Sequence, residues 1–166
     1  MKIFFEDSHE ENRLSSKGSY AIVLRVNRST VLPVGRLGRF RFPPGYYVYV
    51  GSAQGPGGIG ARLGRHLRAG KPLRWHIDYL REKAAVHGVW AATGPENREH
   101  GWAGILENAD TASVPAAGFG ASDCRCTAHL FHFPHPPEKS GLFDRLPGGP
   151  VRLRTAGRPG PFRGQN

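Results

Sequence analysis

The sequence predicts an α/β domain: a small central antiparallel sheet flanked by helices, with a loose Pro/Gly/Arg-rich C-terminal tail. Three observations carry that prediction. Residues 21–26 (Ala-Ile-Val-Leu-Arg-Val) and 46–50 (Tyr-Tyr-Val-Tyr-Val) are dense in β-branched and aromatic side chains and read as strands. The links before the second run are too short for the crossover helix that parallel neighbours require, so pairing is antiparallel. From Ile59 onward the pattern turns helical, and Arg62 and His66 stand four residues apart on one face.

Taken in order, residues 6–17 are polar and charged, and residues 1–16 are expected to be a flexible lead-in. Gly18-Ser19-Tyr20 opens the first strand. Residues 31–42 make a second and third strand segment, bent at Gly35 and Gly38, from which Arg36, Arg39 and Arg41 project. Pro43, Pro44 and Gly45 start the 46–50 strand, and Gly51 ends it. Four glycines between 54 and 60 let the backbone bend and approach a ligand closely before the first helix begins. Ala69-Gly70-Lys71 stops that helix. Pro72 suits the first turn of a second one over 73–83, in which Trp75 pairs with Tyr79 and His76 with Leu80. Residues 85–92 read as a strand, and 96–108 as a third helix with Trp102, Ala103, Ile105 and Leu106 on its apolar side. Gly101 and Gly104 weaken that helix by roughly 1 kcal/mol each against Ala. A tight loop at 118–126 and a short closing strand at 128–133 complete a domain spanning 17–133. Residues 134–166 are expected to be a disordered or loosely attached basic tail.

The 166 residues are 39% hydrophobic, enough for one domain with a real core. Net charge is +10, and Lys+Arg outnumber Asp+Glu 15 to 7 between residues 14 and 133, so the basicity belongs to the folded part. That balance favours a polyanionic partner, nucleic acid first. No stretch approaches the roughly 20 apolar residues of a membrane span. The acidic turn after Phe5 is unlike a secretory signal. With Cys124 and Cys126 the only cysteines, reduced thiols and a cytoplasmic setting are expected, with no membrane partner.

Several of these segments together resemble the GIY-YIG nuclease superfamily. Gly18-Ser19-Tyr20 stands where its first motif would be, and Tyr49-Val50-Gly51 where its second would be. Arg62 and His66 match the arginine and following histidine or tyrosine of the family's first helix. More narrowly, Val34-Gly35-Arg36-Leu37-Gly38, Trp75-His76-Ile77-Asp78-Tyr79 and the Gly-Phe-Gly…Asp-Cys-x-Cys loop look like a branch of uncharacterised function. Some members of that branch are joined or adjacent to endonuclease III-type repair enzymes. Two departures stand out: Ser19 replaces a bulky aliphatic residue, and residues 31–42 lengthen the chain between the motifs.

The resemblance implies a metal-dependent endonuclease that hydrolyses nucleic-acid phosphodiester bonds, DNA before RNA, with DNA repair as its setting. It implies one Mg²⁺ or Mn²⁺ on a glutamate of the third helix. Glu99 fits the branch pattern and is preferred; Glu107 is the other candidate. Arg62 would grip the phosphate, Tyr20 would help deprotonate the attacking water, and Tyr49 and His66 would orient it. Arg36, Arg39, Arg41 and Arg65 would bind the nucleic-acid backbone. The alternative is a non-catalytic nucleic-acid binding module on the same fold.

Each of these residues also has a plainer reading. The tyrosines suit strand packing, Arg62 and His66 a solvated helix face, and Glu99 a helix N-terminus. Cys124, Cys126 and His129 could bind Zn²⁺ with a fourth ligand from afar, His76 being the candidate. Cys-x-Cys-x-x-His is not a usual zinc-knuckle spacing, so a thiol-containing loop buttress is preferred.

Overall fold

The computed structural model describes residues 1–6 and 10–157; residues 7–9 of the expected lead-in and 158–166 of the expected tail lie outside the described residues. The elements run β1 (Lys2–Phe4), α1 (Glu10–Ser15), β2 (Gly18–Val26), β3 (Thr30–Pro33), β4 (Arg39–Phe42) and β5 (Gly45–Ala53). They continue with α2 (Gly58–Leu67), α3 (His76–Arg81), β6 (Ala85–Thr93), α4 (Glu99–Glu107), β7 (Leu130–Phe133), β8 (Val151–Arg152) and β9 (Arg154–Ala156).

A five-stranded antiparallel sheet of order β7-β5-β2-β6-β8 lies at the centre. Its strands are apolar on both faces because both faces are covered. Tyr20, Ile22 and Leu24 of β2 with Tyr47 and Tyr49 of β5 look toward α2 and α3. Ala21 and Val23 of β2, with Val48, Val50, Trp90 and Ala92, look the other way, toward Trp102 and Leu106 of α4. The period-2 alternation of side chains therefore splits the core into two layers. Short β3 and β4 form a separate hairpin, which packs beside α3.

The expected antiparallel sheet with flanking helices is thus the observed architecture, but several boundaries differ. The second helix begins at His76 rather than at 73, because the Asp78 carboxylate accepts the N–H groups of Arg74 and Trp75 and fixes the helix start there. The third begins at Glu99 rather than at 96: Asn97 Oδ1 accepts the Glu99 N–H at 3.0 Å. The largest correction concerns the segment after 133. Leu142, Phe143 and Leu146 are buried against the α4 face of the sheet, and Phe143 stacks on Trp90 with ring centroids 4.1 Å apart. The Trp102 indole N–H donates to the Pro147 carbonyl at 2.9 Å. Strand β8 pairs with β6, β9 pairs with β1, and Leu153 is buried between them. Each fully buried Leu or Phe contributes about 1.5–3 kcal/mol, so few anchors suffice to hold a Pro/Gly-rich segment down. The fold continues through Ala156. At the other end, the lead-in carries β1 and α1. No helix among the described residues is long and apolar enough to cross a membrane.

Candidate active site

Strands β2 and β5 pair so that Tyr20 lies opposite Gly51 and Ile22 opposite Tyr49. Tyr20 and Tyr49 are therefore diagonal neighbours on one face of the sheet. Gly51 makes room for this arrangement: a Cβ there would lie 2.3 Å from the Tyr20 hydroxyl. Helix α2 packs over both tyrosines through Ile59, Leu63 and Leu67, and this seats His66 between them. The His66 ring centroid is 5.5 Å from that of Tyr20 and 5.7 Å from that of Tyr49, and the Tyr20 hydroxyl shares a 2.7 Å hydrogen bond with His66 Nε2.

These groups line a cleft of about 430 Å³, together with Arg62, Arg74, Trp75, Ser52 and Glu99. Tyr20, Tyr49, Arg62, His66 and Glu99, the five residues singled out in the sequence, thus share one wall-to-wall site. Glu107 does not: it is the exposed last residue of α4. The expected backbone binders also lie elsewhere. Arg36, Arg39 and Arg41 are exposed on and beside the β3–β4 hairpin, outside the cleft lining.

Arg62 and Arg65, one turn apart on α2, have different partners. Arg65 donates to Asp78 at 3.0 Å and lies over the Trp75 ring. Arg62 covers the same indole from 4.8 Å but has no ion-pair partner among the described residues, so its guanidinium is available to the cleft. Asp78 is buried and also pairs with Lys71, whose ammonium donates to the carbonyls of Arg65 and His66. Lys71 thereby caps the C-terminus of α2 while Asp78 caps the N-terminus of α3. Burial by itself would raise the Asp78 carboxyl, but its hydrogen bonds from Trp75, Arg74 and Lys71 outweigh that and hold it below the usual range.

Burial sets the protonation of the tyrosine–histidine pair. It pushes the Tyr20 phenol well above its ordinary value, with the neighbouring Tyr49 adding and Arg62 opposing. Burial likewise raises Tyr49, and it lowers His66 to about 3, with the Lys71 charge adding. At neutral pH all three are uncharged. Glu99 is the partly buried acidic group of the site, and the exposed Asp123 lines the same cleft. Burial tends to raise the Glu99 carboxyl, but hydrogen bonding with His129 and Ser52 and the nearby His129 charge prevail, and its pKa falls below the ordinary value. One oxygen lies 3.0 Å from His129 Nδ1, and the side chain keeps 17% of its surface exposed.

Three contributors escaped the sequence reading. Ser52 follows the second tyrosine motif by one residue and supports Glu99. Arg74, exposed and without an ion-pair partner among the described residues, lines the cleft mouth. Ser19, which departs from the aliphatic pattern, is fully buried, and its hydroxyl accepts the Arg98 N–H at 2.9 Å. It ties the start of α4, and so Glu99, to the strand that carries Tyr20.

Fold and cleft together define a small α/β protein whose polar site joins an arginine with no ion-pair partner among the described residues, a neutral tyrosine–histidine pair and an ionised glutamate. Residues 19–146 match the family model described as Domain of unknown function DUF123, and the chain belongs to that family. The match runs past residue 133, in keeping with the packed segment described above. No curated protein and no solved structure matches the chain.

Proposed function

We propose that this protein is a metal-dependent endonuclease of the GIY-YIG type, cutting phosphodiester bonds in nucleic acid, DNA before RNA, in the cytoplasm and in a repair setting. The observation that carries the reading is the meeting of Tyr20, Tyr49, Arg62, His66 and Glu99 in one cleft of a chain with net charge +10. An ionised carboxylate at the cleft wall, with part of its surface open, fits a single hard cation that keeps most of its waters. Glu99 would hold Mg²⁺ or Mn²⁺, and the bound ion would supply charge for the phosphate and a more acidic water.

The chain's own groups do the rest. Arg62 binds two phosphate oxygens through its planar fork, with Arg74 at the mouth as a second anchor. Tyr20 is a neutral phenol, so it takes a proton from water only while giving its own to His66 Nε2, 2.7 Å away. The incoming phosphate makes that transfer easier, because a nearby anion raises the low affinity of His66 for a proton. Tyr49 walls the other side of His66 and keeps bulk water off the pair. Arg36, Arg39 and Arg41 extend the basic surface from the hairpin, whose turn residue Leu37 lies against Gly118 of the loop that reaches the cleft at Gly120. Arg65, engaged by Asp78, acts on the fold more than on the ligand.

The test is cleavage of supercoiled DNA, duplex, single-stranded DNA and RNA with Mg²⁺ or Mn²⁺. The wild type should cut at least one of these, Glu99→Gln should bind but not cut, and Glu107→Gln should cut normally. Binding without cleavage of any of them in either metal would make the protein a non-catalytic binding module.

A further inference from the structure

Next to Glu99, four metal-binding side chains converge. His100 of α4, Cys124 and Cys126 of the 118–126 loop, and His129 ahead of β7 place their ligand atoms all within 4.8 Å of one another. Cys124 Sγ is 3.4 Å from His129 Nε2. His76 is not among them: its Nδ1 accepts the Gly120 N–H at 2.9 Å. The fourth member is His100, which sequence spacing could not suggest because it comes from a different element. Both cysteines are free thiols.

From this convergence we propose a structural zinc site formed by His100, Cys124, Cys126 and His129, with Glu99 as the group that orients His129. Two sulfurs and two imidazoles in a compact cluster suit Zn²⁺ over the hard cations, which take oxygen ligands. Zinc at about 2.3 Å from sulfur and about 2.0–2.1 Å from nitrogen sets tetrahedral ligands roughly 3.3–3.8 Å apart. From the 4.8 Å limit the cluster needs to tighten by at most about 1.5 Å, within the reach of an exposed His100 and a loop. With all four positions filled by protein, no open position remains for a reacting water, so the metal is structural.

His129 is 1% exposed and presents a different nitrogen to each site. Nε2 faces the cysteine, and Nδ1 lies 3.0 Å from Glu99 Oε1. Metal-bound histidines are held in this way by a carboxylate on the second nitrogen, which fixes the tautomer and the ring plane. Zinc bound here ties the loop to the first turn of α4 and holds the Glu99 carboxylate at the cleft wall. Zinc binding does not depend on whether the cleft cuts nucleic acid.

The experiment uses the full chain, stripped and reloaded with Zn²⁺ or Co²⁺. The expected result is one metal per chain, with the cobalt form showing thiolate charge-transfer bands and the strong visible bands of a tetrahedral S₂N₂ site. His100→Ala, exposed and so compatible with folding, should weaken zinc binding at least about tenfold, and His76→Ala should leave it unchanged. Glu99→Gln should keep the tetrahedral cobalt spectrum while lowering affinity about 10–100-fold. A weak octahedral cobalt spectrum or no binding by the wild type would overturn the site. Full affinity in His100→Ala would remove His100 from it, and full affinity in Glu99→Gln would break the link to the cleft.

Discussion

The two faces of the central sheet are built from the same strands and do different work. On the α2 face, alternate residues of β2 and β5 put two phenols beside a buried histidine and the Arg62 guanidinium. On the α4 face, the intervening residues meet Trp102, Leu106, Phe143 and Leu146, and the contacts are mainly apolar. A strand shifted by one residue would exchange these faces entirely. The long double-sided pairing of β2 with β5 and β6 therefore sets the register of the site as well as that of the core. The faces should separate experimentally: damage to the α4 face should cost stability, and damage to the α2 face should cost activity.

The largest effect expected lies on the apolar side. Phe143→Ala removes a buried ring stacked on Trp90 and should destabilise by about 3–5 kcal/mol, lowering Tm by roughly 10 °C. Cleavage well below that Tm should match the wild type. A variant that melts like the wild type would detach residues 137–157 from the fold.

The complementary change is Arg62→Ala. Losing a donor that meets charge developing on the phosphate should slow cleavage about 10²–10³-fold, with Tm nearly unmoved since the guanidinium has no ion-pair partner among the described residues. Arg65→Ala should do the reverse, lowering Tm by loosening Asp78 while sparing most of the rate. Equal effects of the two on rate would erase the distinction drawn between them.

Acid should expose the polar face in a third way. The folded pKa of His66, about 3, lies below the unfolded value near 6.5. The unfolded chain thus takes up a proton first, and the stability linked to neutral His66 is full above 6.5 and lost as pH falls toward 3. Between pH 6 and 4 this group should contribute a slope of about 1 kcal/mol per pH unit. Denaturant titrations of His66→Gln should show a profile shallower by that amount, and a parallel profile would contradict the burial of a neutral imidazole.

Much of this was legible in the sequence, for reasons that vary by residue. Residues 21–26 and 46–50 are so dense in strand formers that nothing local competes, and Arg62 and His66 are joined by a spacing that only a helix brings together. Composition hid the packing of the segment from 134 to 157: Leu142, Phe143, Leu146 and Leu153 are sparse among prolines and glycines, yet each is buried. The starts of α3 and α4 were misplaced because side-chain caps, Asp78 and Asn97, decided them over Pro72 and the apolar spacing. His100 had no signal at all, because its partners lie more than twenty residues away and meet it only through the fold.

The smallest effect expected concerns Ser19, at the boundary between the faces. Its side chain is fully buried, and its one clear function in the structure is to accept the N–H of Arg98 just before Glu99. Ser19→Ala keeps the volume almost unchanged and leaves that N–H without its acceptor, at a cost of about 1 kcal/mol. Because the lost bond anchors the first turn of α4, the position of Glu99 should loosen, and cleavage should fall more than the small change in Tm accounts for. Ser19→Thr restores the hydroxyl and tests the point directly, provided the added methyl is accommodated. If Ser19→Ala loses stability but cuts at the wild-type rate, the serine serves only the packing of α4. The departure from an aliphatic residue would then be unconnected with the site.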